Sequence, residues 1–289
     1  MIMKKIVLNE ERHVTLQAYL YEKNGEMPYQ AARPAVVVCP GGGYQGCSAR
    51  EADPIAMYYS AAGYQTFVLR YSVGNNAEFP QPLTDLCKTM KLIRENAEEW
   101  GVRSDRIAVC GFSAGGHLAA SLGVYWNDPE ILEKSGCRAE EVRPNAMVLL
   151  YPVISSSWPS FDHGKIAHYI VGNNDYDTLY RKFNLMTAVR EDTPITFLAH
   201  TGRDNAVPVE DSLKFASALV AHRVPCELHI FPNGCHGLAT SDSLTNENGG
   251  DPDFAKWMPL SRAFLDRVFK NYEKETALMD QKATYRSTY

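Results

Sequence analysis

Short continuous apolar runs alternate along the chain with longer stretches in which apolar residues recur every three or four positions. The run Ala35-Val36-Val37-Val38-Cys39 is β-branched and uninterrupted, the pattern of a strand buried on both faces. Thr66–Arg70, Arg106–Cys110, Ala146–Tyr151, Ile195–His200 and Cys226–Phe231 read the same way. Upstream, Val14, Leu16, Ala18 and Leu20 alternate with polar neighbours, which predicts a half-buried strand near a sheet edge. Helical periodicity covers Glu51–Ala62, Pro82–Trp100, Ala114–Tyr125, Val209–His222 and Phe254–Tyr272. In the second of these, Leu83, Leu86, Met90, Ile93 and Ala97 form a core-facing stripe, and Pro82 suits a first turn. Buried strands in alternation with amphipathic helices predict an α/β fold with a mostly parallel central sheet flanked by helices.

Two stretches break this rhythm. Residues 127–144 are charged and irregular, and residues 155–192 are rich in Ser, Asn, Asp, Tyr and Pro. Insertions of that kind in α/β enzymes often cover the active site, so both are expected to form a small inserted cap. With no linker or internal repeat, residues 1–275 are expected to be a single domain. Residues 276–289 form a polar tail, either a frayed end or a contact with another subunit in a homo-oligomer.

Composition narrows the partners. The chain has 289 residues, 45% hydrophobic and 22% charged, with a formal net charge of −5. An acidic, interspersed charge distribution gives no footprint for nucleic acid or an anionic membrane. Met1–Leu8 starts like a leader but runs straight into Asn9-Glu10-Glu11-Arg12, and no apolar run reaches the length of a membrane span. A cytoplasmic protein is expected. Seven cysteines, without a C-x-x-C pair and with Cys39, Cys110 and Cys226 beside apolar runs, read as reduced core thiols. Cys and His at the short regular spacing of a zinc site are absent, so no metal or cofactor is expected.

The candidate chemistry lies at strand ends. Gly111-Phe112-Ser113-Ala114-Gly115 follows one buried run and opens a helix, the strand–turn–helix context of a nucleophile elbow. Its glycines remove Cβ atoms where strand and helix backbones meet, and the helix N-terminus adds N–H donors near a developing oxyanion. A serine hydroxyl needs a base, and in this arrangement the chain order is Ser, then Asp or Glu, then His. His200 and His229 fall in strands and His222 ends a helix, whereas His236 sits in the loop Pro232-Asn233-Gly234-Cys235-His236-Gly237. Asp204, in His200-Thr201-Gly202-Arg203-Asp204, leaves a strand at the same edge and would orient the imidazole. Asp211 lies inside the following helix, and Asp162, Asp175 and Asp177 lie in the expected cap. The loop Pro40-Gly41-Gly42-Gly43-Tyr44 would supply oxyanion donors from Gly42 and Gly43, with Ala114 N–H as the third. Neither a G-x-x-x-x-G-K-[ST] loop nor a complete G-x-G-x-x-G helix start is present, which disfavours phosphate binding.

Pro40–Tyr44, Gly111-Phe112-Ser113-Ala114-Gly115-Gly116-His117-Leu118-Ala119, Gly202–Pro208 and Gly234–Gly237 together resemble the acetyl esterase/lipase branch of the α/β-hydrolases. Within it the chain is similar to acetyl-xylan-esterase-like proteins, near the hormone-sensitive-lipase-like bacterial esterases, over Ala35–Phe269. It departs from the latter at Pro40, where that group has His before its glycines. The resemblance implies an α/β-hydrolase fold and a serine carboxylesterase acting on short acyl, chiefly acetyl, esters of carbohydrates such as acetylated xylo-oligosaccharides.

Aromatic residues can stack on sugar faces as well as fill cores, and Tyr44, Trp158 and Trp257 are the substrate-contact candidates. Trp126, Tyr169, Tyr176 and Tyr180 are further aromatic residues in or near the cap segments. The same serine, histidine and aspartate would also serve a peptidase or an arylformamidase-like amidase, with Asp162 or Asp175 capturing a substrate amine. A non-catalytic binding protein on the same fold would typically lack one of the three groups.

Overall fold

A continuous apolar run can be buried only if both of its faces are covered, and five of the six runs here become the centre of one sheet, while Cys226–Phe231, only part-buried, forms its edge. The computed structural model describes residues 1–22, 32–155, 169–170 and 182–269. The strands are β1 (Ile2–Asn9), β2 (Val14–Leu20), β3 (Arg33–Cys39), β4 (Gln65–Arg70), β5 (Val102–Phe112), β6 (Ala146–Leu150), β7 (Thr196–Thr201) and β8 (Cys226–Phe231). They lie in the order β1-β2-β4-β3-β5-β6-β7-β8. Pairing is antiparallel for β1–β2 and β2–β4 and parallel from β4 through β8.

Helices α1 (Asp53–Ala61), α2 (Gln81–Glu95), α3 (Ser113–Tyr125), α4 (Pro129–Ser135), α5 (Ala139–Val142) and α6 (Val209–Ala221) connect the strands, and α7 spans 257–269. Successive residues of β3 feed different cores. Ala35, Val37 and Cys39 pack with Leu86, Leu118 and Phe215 from α2, α3 and α6. Val36 and Val38 pack with Ile55, Tyr59 and Leu265 from α1 and α7. This two-sided burial is the physical reason that the stretch 35–39 carries no polar residue.

Two features depart from the sequence expectations. β1 is an extra edge strand, paired with β2 through Ile2–Leu20 to Val7–Thr15, in a segment that the sequence reading weighed only as a leader-like start. Residues 127–144, expected to contribute to a cap, instead form α4 and α5 at the amino-terminal edge of the sheet. Helix α3 runs from the carboxyl edge back to that edge, and Asn145 N–H already bonds Ile107 O before β6 begins. The Glu141 carbonyl accepts from Arg94 at the far end of α2 (2.7 Å), and its carboxylate pairs with Lys91 at 3.0 Å. A chain that must re-enter the sheet from below cannot cover a site above it. Of residues 155–192, 156–168 and 171–181 lie outside the described residues, as does the tail 276–289.

Candidate active site

Parallel strands present all their carboxyl ends at one edge, so loops separated widely in sequence meet there. Gly41–Gly43 follow β3, Ser113 follows β5, Tyr151 follows β6, Asp204 follows β7 and His236 follows β8.

Ser113 opens α3 in a left-handed conformation (φ 51°) directly after the extended Phe112. A β-carbon on residue 113 makes that backbone costly, and packing must hold it there. A Cβ on Gly115 would fall on the carbonyl oxygens of Cys39 and Pro40, and one on Gly111 on the carbonyl of Gly115. Helix and strand can therefore cross this closely only with glycine at both positions.

The three residues expected to act together are brought together. His236 Nε2 lies 2.8 Å from Ser113 Oγ, and His236 Nδ1 lies 2.7 Å from Asp204 Oδ2. Asp204 Oδ1 accepts the backbone N–H groups of Ala206 and Val207, each at 2.8 Å. Burial raises the Asp204 carboxyl, but bonds from His200 and His236, the His236 charge and the Val207 N–H outweigh it and hold the group well below the usual carboxylate range. An ionised acceptor at Nδ1 fixes the tautomer that leaves Nε2 free to take a proton from serine.

The glycine loop packs against the elbow. A Cβ on Gly41 would lie 2.8 Å from Phe112 O and 3.0 Å from Ser113 Cβ. Gly42 and Gly43 both have positive φ, 130° and 60°, and Gly42 O accepts Gln45 N–H to close the turn. Gly41 N–H is committed to Glu51 Oε2 at 2.9 Å. Among the described residues, the N–H groups of Gly42, Gly43 and Ala114 have no protein acceptor. A cluster of unspent N–H donors beside a serine hydroxyl is what an oxyanion formed there would require.

The expected aromatic contacts fare differently. Trp257 is wholly buried beneath Phe112, its indole N–H bonded to Ala239 O at 2.9 Å, so it is a core residue and not a substrate contact. Tyr44 is buried too. Its hydroxyl meets His117 Nδ1 at 2.8 Å and its ring packs edge-on against Tyr71, so it supports the glycine loop from the protein side. Trp126 lies under the Arg143 guanidinium near the opposite edge of the sheet. Trp158, Tyr176, Tyr180, Asp162, Asp175 and Asp177 lie outside the described residues.

Three residues at the site escaped the sequence reading. Buried His200 approaches Asp204 Oδ2 at 3.3 Å and bonds Val207 O and Ser212 Oγ, bracing the aspartate from behind. Tyr151 sets its ring edge-on against His236, with centroids 4.9 Å apart. Glu51 accepts from both Gly41 N–H and Tyr151 OH. For Tyr151 a signal existed, because it directly follows a buried strand at the edge where the other site residues lie. A glutamate in a polar stretch before a helix carries none.

All seven cysteines are unpaired, and burial pushes the Cys39 and Cys110 thiols up, which suits core packing and not nucleophilic use. Among the described residues, no group of three His, Cys, Asp or Glu side chains is placed to hold a metal ion, and no helix is long and apolar enough to cross a membrane.

Known proteins of the same shape can now be compared. The BD-FAE family model matches residues 21–219, a span that contains Ser113 and Asp204 and stops before His236. An endo-1,4-beta-xylanase B of Butyrivibrio fibrisolvens is 34% identical over 229 residues, covering 76% of this chain and 35% of that protein. The chain thus spans about a third of the length of that relative. MGS-M1, an α/β-hydrolase enzyme from a Medee basin deep-sea metagenome library, has a crystal structure that superposes with a TM-score of 0.75 at 35% identity, over 93% of this chain and 98% of that one. An acetyl ester-xyloside bifunctional hydrolase from Caldicellulosiruptor lactoaceticus superposes with a TM-score of 0.75 at 31% identity, over 92% and 96% of the two chains.

Proposed function

The chain belongs to the BD-FAE family and has an α/β-hydrolase fold; from that premise and the geometry above, we propose that it is a serine carboxylesterase that removes short acyl groups, chiefly acetyl, from carbohydrate hydroxyls. The observation that carries this reading is the linked chain Ser113 Oγ, His236 Nε2, His236 Nδ1, Asp204 Oδ2 beside three unspent N–H donors. Relatives named for xylan and acetyl ester-xyloside hydrolysis support the sugar and the acetyl group.

In this mechanism Ser113 Oγ attacks the ester carbonyl while His236 Nε2 takes its proton. The carbonyl oxygen becomes an oxyanion held by the N–H groups of Gly42, Gly43 and Ala114. His236 then passes the proton to the departing alcohol oxygen as the carbon–oxygen bond breaks, leaving an acyl-serine. Water, deprotonated by His236, attacks that ester, and collapse releases the carboxylic acid and returns the proton to Ser113. Asp204 stays ionised throughout and stabilises the imidazolium. An open cleft lined by Arg50, Gly234, Cys235, Leu238, Thr245 and Asn246 adjoins the histidine loop.

The test is a substrate panel on purified protein: p-nitrophenyl acetate, butyrate and decanoate, acetylated xylo-oligosaccharides, and aminoacyl anilides. Preference for acetate over decanoate, with acetate released from the oligosaccharides, is the expected result. Turnover confined to the anilides would overturn the esterase reading in favour of a peptidase or amidase.

A further inference from the structure

The reaction above leaves one buried charged group beside the site without a task. Glu51 is 3% exposed, and both of its oxygens accept hydrogen bonds. Oε2 takes Gly41 N–H at 2.9 Å, and Oε1 takes Tyr151 OH at 2.7 Å. The Tyr151 oxygen in turn accepts Ala239 N–H at 3.0 Å, three residues beyond His236, and its ring meets the imidazole edge-on. One carboxylate therefore reaches the loop that carries the proposed oxyanion donors and, through a single phenol, the loop that carries the base.

We propose that Glu51, as an ionised carboxylate, is a positioning residue that clamps the glycine loop to the histidine loop and so fixes the distance between oxyanion donors and base. The proposal rests on the serine-esterase reading above.

Donor and acceptor counting supports the ionised form. Gly41 N–H can only donate. The Tyr151 oxygen already accepts Ala239 N–H, so its own proton needs an acceptor, and Glu51 Oε1 is the one within reach. A protonated Glu51 would have to donate to one of these partners and leave the phenol proton or the Gly41 N–H unmatched. Burial leaves the Glu51 carboxyl raised above its ordinary range, and the bonds from Tyr151 and Gly41 and the charges of His236 and Arg50 offset only part of that rise, so the hydrogen-bond count carries the assignment. The buried phenols Tyr71 and Tyr151 and the Cys110 thiol also face it, all pushed up and hence neutral.

Mechanically, Gly41 immediately precedes the two proposed donors, so anchoring its N–H anchors the peptide from which Gly42 and Gly43 extend. The contact is close: a Cβ on Gly41 would lie 2.6 Å from Glu51 Oε2. Because oxyanion donors act most strongly in the transition state, a loosened loop should lower kcat more than it raises KM.

Steady-state hydrolysis of p-nitrophenyl acetate by full-length wild type, Glu51→Gln, Tyr151→Phe and Ser113→Ala, with kcat and KM resolved separately, tests this. Glu51→Gln is expected to lower kcat about 10- to 100-fold, within the range seen on loss of an oxyanion donor or below it, with KM changed less than about threefold. Tyr151→Phe, which keeps the carboxylate and its bond from Gly41 but removes the phenol that joins Glu51 to Ala239, should lower kcat by about 5- to 20-fold with KM again little changed. If Glu51→Gln does not fold, Tyr151→Phe decides alone. Wild-type kcat in both variants, or a loss expressed wholly in KM, with Ser113→Ala inactive, would overturn the clamp and leave the esterase reading standing. Wild-type turnover by Ser113→Ala would instead bring down the serine reading, and the clamp with it.

Discussion

The two sides of the site are held by different physics. On the serine side, β5, the elbow and α3 are fixed by backbone contact. Residues 106–112 and 114–124 are buried, and glycines stand where any side chain would strike a carbonyl. On the histidine side, residues 232–236 are largely exposed and hang on individual hydrogen bonds. Thr201 Oγ1 donates to Gly234 O, His236 N–H donates to Asn205 Oδ1, and Ala239 N–H donates to Tyr151 OH. Steric fixation fails abruptly, because a backbone oxygen cannot step aside, whereas a hydrogen-bonded loop loses its order by degrees, about 1 kcal/mol at a time. The proposed base thus sits on the adjustable side and the proposed nucleophile on the rigid one.

The sharpest separation of chemistry from scaffold comes from Ser113→Ala. The Cβ remains and the elbow is held by its neighbours, so activity on p-nitrophenyl acetate should fall by at least about 10⁴-fold while the melting temperature stays within about 2 °C. A large drop in melting temperature would mean that the hydroxyl, and not the glycines, holds the turn.

Next in size, on the opposite side, is Asp204→Asn, expected to cost about 10³- to 10⁴-fold in kcat by removing the ionised acceptor that fixes the tautomer. Unlike the serine change, it should also cost stability, with a diagnostic pH dependence. A carboxylate held below its ordinary range when folded contributes stability that is fully present above about pH 4 and is lost as the pH falls toward the folded value. The gap in denaturation midpoint between wild type and Asp204→Asn should therefore be constant near neutrality and narrow below about pH 4. A gap that widens in acid would contradict the assigned direction.

Gly115→Ala probes the rigid side itself. The added methyl meets the carbonyls of Cys39 and Pro40, which belong to a central strand and its exit, so relief requires moving α3 away from β3. A cost above about 3 kcal/mol is expected, read as a fall of at least about 6 °C in melting temperature. Retention of wild-type stability would show that the crossing is looser than its geometry implies.

The same division explains what could be read from sequence. Backbone crowding leaves a mark in residue identity, so Gly111, Gly115 and the glycines after β3 stand out, and the buried strands announce themselves as unbroken apolar runs. Asp204 and His236 were legible because each follows such a run. Glu51 and His200 were not, since burial of a polar side chain depends on distant partners that no local pattern encodes, and Tyr151 was marked only by its place directly after a buried strand. Trp257 misled for the complementary reason: an indole that covers Phe112 in the core and one that stacks on a sugar have the same sequence signature. The edge strand β1 was hidden because Ile2, Met3 and Val7 are exposed and it buries too little to show a clean alternation. Residues 127–144 were misplaced by composition alone, although chain order constrained them: a segment between a descending helix and a rising strand belongs at the amino edge.

The smallest effect tests whether the histidine loop really answers by degrees. Thr201→Val keeps the shape of a buried side chain at the end of β7 and removes only the hydroxyl that donates to Gly234 O at 3.0 Å. The carbonyl left behind sits in a partly exposed loop where water can replace the lost donor, so the loss should be about 0.5–1.5 kcal/mol of stability, or about 1–3 °C. Gly234 is two residues from His236 and has φ 117°, so a looser carbonyl lets the imidazole sample positions away from Ser113. On the picture of graded fixation, kcat should fall by less than about fivefold, with KM unchanged. Loss of activity comparable to that of Asp204→Asn would mean that the loop switches between two states as abruptly as the elbow does, and the contrast between the two sides would disappear.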